Sequence, residues 1–206
     1  MFLVPYGTSA SSVLDYDARL CSVELIILKA DLQHLRLSST SKNHQLGLHQ
    51  RINGALGTLG WLCRRYASKN GLKPTKIRTT INELRHNFQQ QKLVLFDQQL
   101  QTLIESMPLS LDGYLAEDAT AQSLDNGKKI YYRYCSGCHT NPDFTKQTPA
   151  YSLVDMAHQM PQREFIARMI GGVRGTPEIA MHNPLSKQDL AGMYKFLLRF
   201  GSETGN

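Results

Sequence analysis

The stretch YYRYCSGCHTN, Tyr131 to Asn141, places two cysteines and a histidine within five residues. Cys135, Ser136, Gly137, Cys138 and His139 spell C-x-x-C-H, a pattern that could serve a haem, a zinc ion or a disulfide. The spacing favours the haem. One helical turn separates the sulfurs, so both can form thioethers to the two vinyl groups on one edge of the macrocycle, and the adjacent imidazole then points at the iron. Tetrahedral zinc is poorly served, because no second ligand pair at zinc-like spacing occurs in the chain. A thioredoxin-like motif would need a preceding strand in a βαβ setting, and none is visible.

Working outward from the motif, Asn126-Gly127-Lys128-Lys129-Ile130-Tyr131 opens an amphipathic helix on which Gly127, Tyr131 and Cys135 recur every four residues. A glycine there permits a close helix crossing. The natural partner is the last helix, for which Ser186-Lys187-Gln188-Asp189 supplies an N-cap and an acidic first turn, followed by Leu190 to Phe200.

With these parts in place, residues from about 118 to 201 resemble the class I cytochrome c domain. The matching features are the glycine and aromatic before CSGCH, the closing helix with Tyr194, and GGVRGTPEIAMHNPLS (Gly171 to Ser186) between them. The resemblance implies a short helix from about Gln162 to Ile170, one covalent haem c, His139 as the proximal iron ligand and Met181 as the distal one. Met107, Met156, Met160, Met169 and Met193 compete in principle, with Met169 and Met193 expected in the core. The family commonly has proline directly after the ligand methionine, where this chain has His182. That makes His182, and less so His158, a rival nitrogen ligand. The resemblance also implies that the second ring N–H of His139 meets the backbone carbonyl of a proline after the motif, and Pro149 fits better than Pro142.

The first half carries no motif, but its periodicity is helical. Apolar residues recur from about Asp15 to Leu37, again from Leu48 to Tyr66, and from Ile77 through Phe88, Leu95 and Leu100 to Ile104. The turns fall at Ser38 to His44 and at Asn70-Gly71 to Pro74, so an antiparallel three-helix bundle is expected, with its third helix running from Pro74 to about Met107. PLSLDGYLAEDATAQS (Pro108 to Ser123) reads as a linker. The fold class is therefore all-α, with a helical bundle in residues 1–110 and a cytochrome c domain in 111–206. Cys21 and Cys63 are equidistant from residue 42, inside the first turn, so an antiparallel hairpin sets them face to face. In an oxidising compartment they can form a disulfide.

Composition agrees with a folded chain: 41% of residues are hydrophobic and 19% charged, without low-complexity tracts. The whole net charge of +6 belongs to residues 1–110, which hold 13 Lys or Arg against 7 Asp or Glu. Seven of these bases lie between Arg64 and Arg85, opposed only by Glu83. Such a patch attracts an acidic partner surface or anionic lipid headgroups, and no nucleic-acid motif accompanies it. No apolar run is long enough for a membrane span. The first residues lack the basic and apolar regions of a secretory signal. Haem attachment by this motif takes place outside the reducing cytoplasm, so a periplasmic protein exported by a segment absent from this chain is expected.

With both axial positions filled by protein, no coordination site is open to a substrate. Electron transfer between redox partner proteins is then the expected function rather than enzymatic catalysis. The alternatives are a haem-based redox or gas sensor, in which the bundle responds to the haem, and a peroxidase-like activity after loss of Met181.

Overall fold

The computed structural model describes residues 10–37, 40–172 and 185–203, and among them every regular element is helical. Helix α1 (Ala10–Arg36) and α2 (Lys42–Lys69) form the hairpin read from the sequence. Ser41 caps α2 by accepting a hydrogen bond at Oγ from the His44 amide, 3.2 Å away. Helix α3 (Pro74–Gln89) begins with proline in its first turn, where the missing N–H has no helical partner to lose.

The single third helix expected from Pro74 to Met107 is instead two helices, α3 and α4 (Leu93–Ser106). The chain turns at Gln91, whose φ is 54°, and the Lys92 amide donates to the Asn87 carbonyl at 2.8 Å. Leu95, assigned to the apolar stripe of one continuous helix, is 49% exposed, whereas its neighbour Phe96 is fully buried. The turn lets Phe88 and Phe96 meet in the core, with ring centroids 5.3 Å apart. Because α1 packs on α2 and α4, and α3 on both of the latter, the bundle has four helices rather than three.

Helix α1 explains why its apolar face looked so broad. From Cys21 to Leu28 every residue is buried, as expected of a helix enclosed on all sides. Cys21, Leu25, Leu28 and Leu32 enter the bundle core, whereas Val23, Ile26 and Ile27 enter a second core built mainly from residues beyond 108. A disulfide joins Cys21 to Cys63, with Cα atoms 4.8 Å apart.

The segment expected to be a linker is an ordered strap. Leu109 and Tyr114 are buried in the second core. Asp118 Oδ2 accepts from the amides of Gly113 and Leu115 at 2.9 and 3.0 Å around a short 3-10 turn, Ala116–Asp118. Thr120 then caps α5 (Ala121–Ile130), accepting at Oγ1 from the Ser123 amide at 3.0 Å. A π-helical turn (Tyr131–Cys135) leads into α6 (Ser136–His139). After a loop come α7 (Leu153–Gln159), α8 (Gln162–Gly171) and α9 (Lys187–Glu203). Ser186 and Asp189 cap α9 reciprocally: Ser186 Oγ accepts from the Asp189 amide at 3.1 Å, and Asp189 Oδ2 accepts from the Ser186 amide at 3.0 Å. Among the described residues no helix is long and apolar enough to cross a membrane.

Candidate functional site

The site is organised by the crossing of α5 and α9. A Cβ placed on Gly127 would lie 2.2 Å from the Met193 nitrogen, and one on Gly192 would lie 1.9 Å from the Ser123 carbonyl oxygen. Each helix therefore offers a glycine to the other's backbone, and no larger residue fits. Around this crossing Tyr131 packs on Phe196, with centroids 5.6 Å apart, and Phe165 on Tyr194 at 5.2 Å.

The π turn aims the motif. Residues eight apart on an α-helix fall about 80° out of line, so Gly127 and Cys135 would not share a face. One extra residue in the turn rotates the chain by roughly the missing angle. Both do face α9: Cys135 Sγ lies 4.0 Å from Met193 Sδ. Cys138, one turn on, is exposed, and neither thiol is in a disulfide. Burial, helped by the neighbouring Cys138, pushes the Cys135 thiol above its ordinary pKa, so it stands protonated at neutral pH.

His139 is oriented by the loop that follows it. Its Nδ1 lies 2.5 Å from the backbone carbonyl oxygen of Tyr151. A carbonyl only accepts, so Nδ1 carries a proton, and the tautomer with Nδ1–H is the one that offers its Nε2 lone pair to a metal. The acceptor expected from the family resemblance was Pro149. The carbonyl that lies at Nδ1 is that of Tyr151, two residues further along the same loop. No sequence signal marks this, since every residue has a carbonyl.

The donor set fits a c-type haem. Two uncrosslinked thiols and an imidazole with a free Nε2 stand on one turn, and among the described residues no three His, Cys, Asp or Glu side chains converge as a bare ion would require. Tyr132 and Tyr134 lie exposed just before the motif and Phe144 just after it, and Tyr151 is 37% exposed.

Of the methionines, Met107 is buried in the bundle core, and Met169 and Met193 in the second core. Met156 and Met160 are partly buried at the edge of that core. His158 is exposed on α7. Met181 and His182 lie outside the described residues.

The basic segment is partly tied down. Arg85 donates from Nε to the Leu56 carbonyl at 2.8 Å and from an Nη to that of Gly57 at 3.2 Å, and Arg65 stacks on the half-exposed Trp61 ring. A charge cluster that sequence reading missed joins the bundle to α8. Asp31, 1% exposed, accepts from Arg51 of α2 and, at 2.9 Å, from Arg168 of α8, which also donates to Glu164 at 2.9 Å. Burial alone would disfavour the Arg168 charge, but Asp31 and Glu164 outweigh it and hold its pKa above the usual arginine value.

Residues 122–197 match the protein-family model described as "Cytochrome C oxidase, cbb3-type, subunit III". No curated protein and no solved structure matches the chain. The match indicates a class I c-type cytochrome domain, and it does not extend to the helices before it. Such a domain carries haem and transfers electrons to and from redox partners.

Proposed function

We propose that the protein is an exported monohaem cytochrome c that passes single electrons between partner redox proteins, with His139 and Met181 as the axial ligands. The observation that carries this reading is the hydrogen bond from His139 Nδ1 to the Tyr151 carbonyl beside two uncrosslinked thiols. It fixes the tautomer that a proximal ligand needs. When bound, the haem supplies a one-electron iron couple, whose potential is raised by methionine ligation and burial. Cys135 and Cys138 would hold it through thioethers, and His139 would present Nε2 to the iron. The glycine-to-glycine contact of α5 with α9 keeps the turn carrying these groups from shifting. A periplasmic location agrees with the motif's requirement for attachment outside the cytoplasm and with the Cys21–Cys63 disulfide. The segment from Arg64 to Arg85 serves in this reading as the docking surface for an acidic redox partner, and residues 1–110 as the unit that bears it.

The test is expression with an export signal in a host that attaches c-type haem. Mass spectrometry should show one haem per chain, lost in the Cys135→Ala, Cys138→Ala double variant. The oxidised protein should show the charge-transfer band of methionine sulfur on ferric haem, absent in Met181→Ala and retained in His182→Ala. Ready carbon monoxide binding by the reduced wild type would overturn the electron-transfer reading in favour of an open iron.

A further inference from the structure

Resting on the haem reading above, we infer that the N-terminal bundle is a brace for the proximal ligand: Asn43, His44 and Gly47, at the start of α2, seat the loop whose Tyr151 carbonyl orients His139. Three contacts converge there. Asn43 Nδ2 donates to the Thr145 carbonyl at 2.6 Å. The loop backbone lies directly on Gly47, where a Cβ would come within 2.3 Å of the Gln147 carbonyl oxygen. The Tyr151 hydroxyl lies 3.0 Å from His44 Nδ1, and the two rings are 5.8 Å apart.

The pieces form a continuous line from α2 to the iron ligand. Tyr151 uses its side chain toward the bundle and its main chain toward His139, so the ring held at His44 helps to fix the position of the carbonyl. The direction of the hydroxyl bond follows from the groups. Burial, then the nearby Arg51 and His34, hold His44 below the usual imidazole pKa, so its neutral ring accepts at Nδ1 from the Tyr151 hydroxyl. The Asp31–Arg51–Arg168 cluster fastens the same end of the bundle to α8, so α2 does not swing relative to the haem lobe. The bundle is thereby given a role in tuning the site, independent of any partner that it meets.

A hydrogen bond from the far ring nitrogen of a metal-bound histidine raises the basicity of the ligand. Loosening the brace should therefore weaken His139 as a donor, favour the reduced iron and move the reduction potential upward. The experiment uses the full-length, haem-loaded protein and its variants His44→Leu, Tyr151→Phe and Gly47→Ala, with His44→Asn as the conservative replacement, since its Oδ1 can accept near the position of Nδ1. Exchange of the His139 ring N–H, followed by NMR in the reduced state, should quicken about fivefold in His44→Leu, as loss of one neutral hydrogen bond allows. Tyr151→Phe should match it, the His44→Leu, Tyr151→Phe double variant should add nothing, and His44→Asn should restore the wild-type rate. The potential should follow the same order, with the largest upward shift in Gly47→Ala.

Wild-type exchange and potential in haem-loaded His44→Leu and Gly47→Ala would overturn the brace while leaving the haem reading intact. A parallel measurement on the chain expressed without haem reads the brace by itself. Amides of residues 143–152 should exchange faster in both variants, and protection unchanged from wild type would overturn the proposal whether or not haem attaches.

Discussion

Replacing Gly127 by alanine tests the structure at its tightest point. The added methyl would sit 2.2 Å from the Met193 nitrogen and 2.3 Å from the Gly192 carbonyl carbon, and both are main-chain atoms that no rotamer change can move. Restoring an ordinary contact requires α9 to retreat from α5 by about 1 Å. A gap of that size forfeits a quarter to a half of the dispersion between the facing side chains, and overpacking of this kind costs about 1–3 kcal/mol. Alanine recovers up to about 1 kcal/mol through its better helix propensity, which leaves a net loss of roughly 2 kcal/mol. For a chain of this length that lowers Tm by about 4–8 °C. Gly54 and Gly57 supply the control, because a Cβ at either position on the exposed side of α2 meets nothing within 4 Å. There the same substitution should stabilise by about 0.5–1 kcal/mol. Thermal unfolding followed by circular dichroism, in wild type and the three variants, decides the matter. Because Cys135 follows Gly127 onto α9, haem incorporation should also fall in Gly127→Ala and stay unchanged in Gly54→Ala. A Gly127→Ala protein as stable as wild type, or a Gly54→Ala protein equally damaged, would refute the close crossing.

Three further outcomes follow from the packing. The Cys21–Cys63 disulfide closes a separation of 42 residues, for which chain entropy gives a stabilisation of up to about 4 kcal/mol; the urea midpoint should drop on reduction in wild type and stay fixed in the Cys21→Ala, Cys63→Ala variant. Asp31→Asn keeps the shape of a side chain that is 1% exposed but leaves Arg51 without its carboxylate and Arg168 with Glu164 alone, so denaturant titration should show a loss of about 3 kcal/mol. At Asp97, burial works against the charge, yet the hydrogen bond from Lys29 at 2.6 Å and the charges of Lys29 and Arg36 outweigh it and lower the pKa. That pairing contributes stability above the unfolded carboxylate's pKa and loses it as pH falls through the lower folded value; Asp97→Asn should therefore cost up to about 1 kcal/mol at neutral pH and nothing in acid.

What the sequence disclosed, it disclosed through local rules. The motif announces itself because thioether and imidazole chemistry fix its spacing. The Ser186 cap follows from the orphan amides of a helix start, and Gly127 is visible because glycine eight residues before Cys135 has little other use. Even the pairing of Cys21 with Cys63 needs only the symmetry of a hairpin. The departures arise where distant contacts decide. Gln91 adopts a positive φ without glycine or asparagine to mark it, because the meeting of Phe88 with Phe96 compensates for the strain. No composition signals the π turn at Tyr131, and the choice of Tyr151 over Pro149 depends on a loop seated at Gly47, a hundred residues earlier in the chain.

The course of the chain and the packing divide the molecule differently. Chain order places a boundary near residue 110, and the family match, confined to 122–197, falls on one side of it. The second core ignores that line. It takes Val23, Ile26 and Ile27 from α1, and Leu109 and Tyr114 from the strap, all outside the matched segment. Residues that a family model leaves out thus close one wall of the domain that it recognises. Helix α1 can do this because it offers apolar residues to both cores, Cys21, Leu25, Leu28 and Leu32 on one side and Val23, Ile26 and Ile27 on the other, a pattern that a helix serving the bundle alone would not need. The bundle and the haem lobe therefore share a buried helix, a salt-bridge cluster at Asp31 and the loop carrying the Tyr151 carbonyl. Two hydrogen bonds, His139 to the Tyr151 carbonyl and the Tyr151 hydroxyl to His44, join the proposed iron ligand to α2, and they are the path along which the proposed brace would act.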